Sequence, residues 1–271
     1  MYKIVFLFIL TSCFLNGNIL DTKVKNIVGS KEYQIHNRLI KNIFNNENQF
    51  IISERINYLK VFKVLRENGL LNLRLNKPQN IEVTFEMNSD NIMSYKILLN
   101  TIQSLGYRHV ITKSLQLDSN NLLRWTMSIK TEYMLDTYLL IKELQKNNGI
   151  VKDIVQTDKQ HWQYFIDFKN AKVATAKKIP SFERVVFNKP LRPIFVSINN
   201  GKTLSIISRV LNRWYPYIVF YDKNLNILKS YKKDSAIKKM GIDIPAGCRY
   251  IMVKDMYNLV NIKRGLTLIV R

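Results

Sequence analysis

The sequence predicts an α+β fold, with antiparallel sheets carrying helices on one face, followed by an all-β sandwich. Three observations carry that expectation. Apolar and polar residues alternate through 81–87, 123–129 and 162–168, which is the period of a half-buried strand. Helical stripes closed by Gly69, Gly106 and Gly149 recur between these strands. Beyond residue 184 the helical period vanishes, and short runs rich in aromatic and β-branched residues alternate with Asn, Asp and Gly turns.

With 271 residues, 46% hydrophobic and 23% charged, the chain is long enough for two cores and too apolar to be disordered. Its first stretch, "MYKIVFLFILTSCFLNG", has Lys3 ahead of a short apolar run from Ile4 to Leu15. That run is too short to span a bilayer as a helix, and it reads as a signal peptide over 1–17, hence a periplasmic or exported protein. Two processing routes fit. Cleavage after Gly17 would free the chain, whereas "LTSC" resembles a lipoprotein signal that would lipidate Cys13 and anchor the protein to a membrane. Either route leaves Cys248 alone, so neither an intrachain disulfide nor a cysteine metal site is expected.

Residues 18–52 form an N-terminal helical segment, in which Ser30 is placed to cap a helix with Tyr33, Leu39, Ile40 and Ile43 on one face. Residues 53–168 read as an α+β domain of three helix-hairpin units. The first has Ser53 as cap, the helix "SERINYLKVFKVLRENG", and a hairpin of "LLNLRL" and "IEVTFEM" joined by "NKPQN". The second joins "IMSYKILLNTIQSLG" to strands turned by "DSNN", and the third joins "MLDTYLLIKELQKNNG" to strands turned by "TDKQ". Residues 169–183 read as a basic linker. The segment 184–271 follows as a basic β-sandwich domain with strands over "RPIFVSI", "KTLSIISRV", "YPYIVFYD", "ILKSYKK", "IDIPAG", "CRYIMVKD" and "RGLTLIVR".

The order strand, helix, strand, strand, helix, strand from Ile81 to Gln156 resembles the ferredoxin-like fold. That fold hosts many functions and implies none. Its RNA-binding version needs stacked aromatics on the wet sheet face, where this chain has Glu82, Thr84, Glu86, Arg124, Thr126 and Ser128. "GKTLSI" and "IPAGCRYIMV" resemble pieces of jelly-roll modules in secreted bacterial proteins, including carbohydrate-binding ones. The overall build resembles accessory proteins of bacterial periplasmic machines such as secretion systems and flagellar motors, which implies a structural, protein-binding role.

Residues 172–271 hold twenty Lys and Arg against five Asp and Glu, and so carry +15 of the formal +22. Such asymmetry points to an acidic partner. Within it, "RWYPYIVFYD" puts five rings into ten positions. Alternation sends Ile218 and Phe220 to the core and leaves a tyrosine row outside. The candidate binding residues are therefore Arg213, Trp214, Tyr215, Tyr217 and Tyr221, with Lys229, Lys232 and Lys233 at the margin. His36, His109 and His161 sit in different elements without ligand partners at metal-binding spacing, and no phosphate loop, nucleophile elbow or HExxH motif occurs.

The expectation is thus an exported, non-catalytic binding or scaffold protein of the bacterial cell envelope, with no cofactor and no metal. Its partner is an envelope protein assembly or an anionic envelope polymer rather than a small molecule or nucleic acid. Membrane association would follow only from a lipidated Cys13. The alternative is a carbohydrate or wall-polymer binding module, with a nucleic-acid binder or a hydrolase behind it.

Overall fold

The computed structural model describes residues 19–88 and 91–271. The signal-peptide reading of 1–17, and Cys13 with it, lies outside the described residues. The protein is α+β, and the chain divides between Lys172 and Val173 into two units.

The first unit begins with helices α1 (19–28), α2 (Ser30–Ile35) and α3 (Asn37–Ile43). Gly29, at φ 90°, breaks α1 from α2 and holds the cap position itself, so Ser30 is the first helical residue and not the cap. Of the expected apolar face, Tyr33 and Ile40 are buried while Leu39 is exposed. Strands β1 (Ile51–Ile52) and β2 (Arg55–Ile56) then form a small hairpin. Ser53 and Glu54 make its turn with φ of 49° and 62°, so Ser53 does not cap a helix either. That role falls to Asn57, whose side chain accepts from the Lys60 amide at 3.2 Å to start α4 (Tyr58–Glu67).

The main sheet of this unit comprises β3 (Arg74–Asn88), β4 (Ile111–Leu117), β5 (Leu122–Tyr133), β6 (Ile150–Gln156) and β7 (His161–Asp167), in the order β4-β5-β3-β7-β6. Helix α5 (Asn91–Ser104) precedes β4, and α6 (Thr137–Lys146) precedes β6. The hairpin expected around "NKPQN" is absent: β3 is one strand. A bulge between Arg74, opposite Tyr133, and Gln79, opposite Thr131, absorbs the turn-like residues. Pro78 has no N–H to give a ladder, which a bulge tolerates, and β5 is long enough to pair on both sides of it. Two helix-hairpin units therefore stand where three were expected.

The ferredoxin-like succession would seat β6 beside β3. Here β7 takes that place and runs parallel to β3, pushing β6 to the edge. Otherwise neighbouring strands are antiparallel. Phe85, Trp125 and Tyr164 cover the helix side, with ring centroids 5.9 Å apart for Phe85 and Trp125 and 5.4 Å for Phe85 and Tyr164. Tyr95 of α5 meets Trp125 edge-on, and Thr137 of α6 shares a 2.7 Å hydrogen bond with the buried Tyr164 hydroxyl. On the other face Glu86 pairs with Arg124 at 2.6 Å and Thr84 bonds Thr126 at 3.0 Å, a polar ladder of cross-strand neighbours. Gly149 closes α6 differently from its counterparts. Asn148 takes the positive φ of 59°, and glycine is needed at 149 because a Cβ there would stand 2.7 Å from the Phe168 ring.

The second unit is a sandwich of two sheets. One has the order β13-β12-β15-β10-β8, from β8 (Lys177–Lys178), β10 (Ile194–Ser197), β12 (Pro216–Tyr221), β13 (Ile227–Lys232) and β15 (Tyr250–Asp255). The other has the order β14-β11-β16-β9, from β9 (Arg184–Phe187), β11 (Thr203–Ser208), β14 (Lys239–Asp243) and β16 (Leu266–Val270). Between them lie Val196, Leu204, Ile206, Ile218, Phe220, Ile251, Val253 and Leu268, all buried. Three details differ from expectation. Residues 173–183 belong to the fold instead of a linker, since Val173 and Ile179 are buried and β8 pairs with β10. Strand β9 was not anticipated. The strand expected at "IDIPAG" lies earlier, at Lys239–Asp243, and leaves Pro245 to accept from Cys248 N at 3.2 Å in a turn.

Candidate functional site

Strand β12 lies between β13 and β15, so each residue on its outer face meets a neighbour on either side. Tyr217 lies opposite Lys232 of β13 and Lys254 of β15, Val219 opposite Ser230 and Met252, and Tyr221 opposite Ile227 and Tyr250. The two ammonium groups come over the Tyr217 ring at 4.6 and 4.7 Å from its centroid, one from each flanking strand. This places two positive charges against the negative face of one half-buried phenol.

The row continues differently. Phe195 of β10 stacks on Tyr250 with centroids 5.6 Å apart and planes 11° apart, and it tilts against Tyr221 at 6.0 Å. These rings spend much of their surface on one another. Burial, and then the neighbouring Tyr217, raise the Tyr221 phenol above its ordinary value. Tyr250 accepts from Val173 N at 3.4 Å, so the start of the unit lies against the same face.

The expected site residues scatter over five places. Tyr217, Tyr221 and Lys232 share the outer face. Tyr215 packs edge-on with Tyr257 at 5.1 Å, and Arg213 is exposed in the loop before β12, where its amide donates to Asn261 O at 3.1 Å. Trp214 is not a surface group at all. It is 0% exposed and its indole N–H donates to Lys254 O at 3.2 Å, because the chain turns inward ahead of Pro216 and packs the largest ring in the core. Lys229 lies opposite Phe220, a core residue, and so points to the other side of β13 from Tyr217, while Lys233 lies beyond the strand end. Lys254, Tyr250 and Phe195 went unmarked because their membership depends on cross-strand register and not on local composition.

The electrostatics of the two units differ. All eight salt bridges among the described residues lie in the first unit, from Lys23–Asp153 at 2.7 Å to Lys152–Asp167 at 3.1 Å. In the second unit Asp255 and Asp222 serve the backbone. Asp255 is buried and accepts from four donors, and Asp222 accepts from the Asn224 and Asn226 amides at 2.8 Å. Burial works against ionisation of Asp222, but hydrogen bonds from Asn226 and Asn224 and the charge of Lys223 outweigh it and hold the carboxyl below its ordinary value. Among the described residues, no Lys or Arg of 173–271 forms a salt bridge with a carboxylate.

Cys248 is half-buried, and burial pushes its thiol up to about 11. No cluster of three or more His, Cys, Asp or Glu among the described residues is placed to hold a metal ion. His161 and Asp158 pair at 2.8 Å on an exposed turn. No helix among the described residues is long and apolar enough to cross a membrane.

No family model matches the chain, and no curated protein matches it. Among solved structures, the secreted serine protease VesC from Vibrio cholerae aligns with 78% of this chain and 52% of its own, about half its length, at 10% identity and a TM-score of 0.21. A likeness that slight carries no argument about fold or activity.

Proposed function

We propose that this chain is an exported, non-catalytic binding protein of the bacterial cell envelope whose basic sandwich engages an acidic partner, an envelope protein assembly or an anionic polymer. The observation that supports the reading best is Tyr217, held between Lys232 and Lys254 on a sheet face of a unit that forms no salt bridge among the described residues. An incoming carboxylate or phosphate gains both ammonium groups and a ring edge at one spot, and aromatic and cationic groups together dominate binding hot spots. The export address rests on residues 1–17 as a cleaved or lipidated leader.

A glycan-binding role is less well supported. It calls for exposed rings with carboxylates beside them to orient hydroxyls, whereas Trp214 is buried and Asp222 and Asp255 are committed to turns. Crosslinking in intact cells, followed by capture and mass spectrometry, tests the proposal and reports the mature N-terminus. The expected result is an acidic envelope partner lost in Tyr217→Ala and weakened in Lys232→Gln and Lys254→Gln. Recovery of an uncrosslinked monomer still beginning at Met1 would overturn it.

A further inference from the structure

Four connections between the two sheets of the sandwich gather at one end: residues 188–193, 209–215, 233–238 and 256–265. Register requires it. Phe187 and Ser208 both lie opposite Leu266, Lys239 opposite Ile207, Pro216 opposite Asp255, Lys232 opposite Tyr217, and Ile194 opposite Val253.

Three of these loops raise aliphatic side chains out of the fold. Leu191 is 95% exposed in the first, Val210 and Leu211 are 79% and 72% exposed in the second, and Val260 is 60% exposed in the fourth. Single exposed apolar residues are ordinary on a protein surface, but a group of them at one end of one domain marks an interaction site. Each has cations beside it in the chain. Lys189 and Arg192 bracket Leu191, Arg209 and Arg213 bracket Val210 and Leu211, and Lys263 and Arg264 follow Val260; all six are exposed. The remaining loop adds Lys233 and Lys238 against Asp234, the one exposed acid at this end.

The tips are held in place by a firm base. Buried Asn212 donates to Gly265 O at 2.9 Å and Ser208 Oγ at 3.2 Å, and its carbonyl side-chain oxygen accepts from Arg264 N at 3.2 Å. Lys238 Nζ caps the Asn212 main-chain oxygen at 2.6 Å. Gly265, at φ 100°, allows a close approach to the Phe187 carbonyl that a side chain would block. Leu191 and Val260 face a shared open cleft of about 920 Å³ rimmed by Lys189, Lys263 and Arg264.

The geometry points to this end of the sandwich as a membrane-docking tip, in which Leu191, Val210, Leu211 and Val260 enter the interface of a bilayer containing anionic phospholipid while the neighbouring Lys and Arg meet its phosphates. Leu191 and Val260 meet at one cleft while Val210 and Leu211 stand on a separate loop, so a protein partner would have to match both shapes at once, whereas a bilayer interface accepts apolar groups on separate loops without a matching surface. Cations beside those groups are what a negative lipid surface attracts. The inference concerns a different surface from the Tyr217 face and stands without the proposed function. It also gives a route to the membrane that does not need Cys13.

The test is cosedimentation of the full chain with vesicles of phosphatidylcholine, with and without about 30% phosphatidylglycerol to supply the anionic surface potential. Binding is expected only with phosphatidylglycerol. Leu191→Ser combined with Val260→Ser should lower partitioning about tenfold, and Arg192→Gln and Lys263→Gln about fivefold each. Leu211→Gly should lower it while leaving the melting temperature unchanged or higher, because Leu211 sits at φ 67°, which favours glycine. Since every variant keeps the same N-terminal stretch, losses report on the tip. Ile35→Ser, which removes an exposed aliphatic group of the first unit, should bind vesicles as the parent does. Three results would overturn the inference: no vesicle binding by the parent, binding unchanged by the aliphatic substitutions, or loss of a crosslinked protein in those variants without any change in sedimentation.

Discussion

Asp255 is the carboxylate on which one end of the sandwich turns, and its replacement gives a graded expectation. Its Oδ2 accepts from Tyr215 N at 2.8 Å, and its Oδ1 accepts from Tyr257 N and Asn258 N at 2.9 Å and from Asn261 Nδ2 at 3.0 Å. Asp255 itself is buried, so water does not take the place of its carboxylate without rearrangement of the loop. Asp255→Asn keeps an oxygen for the three donors on one side and turns an amide NH₂ towards the Tyr215 N–H. One charge-assisted bond is lost and one buried donor is stranded, which together cost about 3 kcal/mol. Asp255→Ala strands all four and should cost about 5 kcal/mol or more. For a unit of this size each kcal/mol lowers the melting temperature by roughly 4–8 °C, so the Asn variant should melt about 12–24 °C below the parent. Differential scanning calorimetry that resolves the second unit's transition measures both. An Asn variant within about 0.5 kcal/mol of the parent, or one as damaged as Ala, would refute the four-donor account, since the first outcome needs donors that find other partners and the second needs a role for the charge alone.

Other expectations are narrower. A double-mutant cycle of Tyr217→Leu and Lys232→Gln, read by urea denaturation, should give a coupling of about 0.5–1 kcal/mol, and additivity would remove the contact between ring and ammonium as an energetic feature. The Cys248 thiol, raised to about 11, should react with a disulfide reagent at pH 8 roughly a hundredfold more slowly than in the unfolded chain, with the rate climbing towards pH 11. Burial works against ionisation of Asp167, but the Lys169 amide and the side chain and charge of Lys152 prevail, so its folded carboxyl lies below the ordinary 3.8. A depressed acid stabilises fully above its unfolded value and loses that contribution as pH falls through the folded one. Asp167→Asn should therefore flatten the loss of first-unit stability below about pH 4, and an unchanged acid limb would show the pair to be idle.

How far the residues announced the fold depended on whether the signal was local. The turns "DSNN" and "TDKQ" were legible because Asp118 and Asp158 close them on their own backbones, accepting from Asn120 N at 2.8 Å and Gln160 N at 2.7 Å. "NKPQN" has the same composition and became a bulge, since only the length of β5, far along the chain, determines that β3 continues. The same division holds at the site. Alternation placed Ile218 and Phe220 in the core and Tyr217 outside, because period 2 is a property of the strand itself. It could not say that Trp214 folds inward ahead of the strand, that Lys229 and Lys232 lie on opposite sides, or that Lys254 completes the pair over Tyr217.

The confinement of salt bridges to the first unit among the described residues means that dissolved ions act on the two halves of this chain in opposite senses. Added electrolyte screens the attractions that tie Lys23 to Asp153 and Arg124 to Glu86, and so loosens the first unit slightly. In residues 173–271, with nineteen Lys and Arg against five Asp and Glu, it screens mutual repulsion and tightens the fold. The same screening weakens that unit's grip on any anionic surface, so the saline medium that best preserves the sandwich is the one in which it holds its partner least.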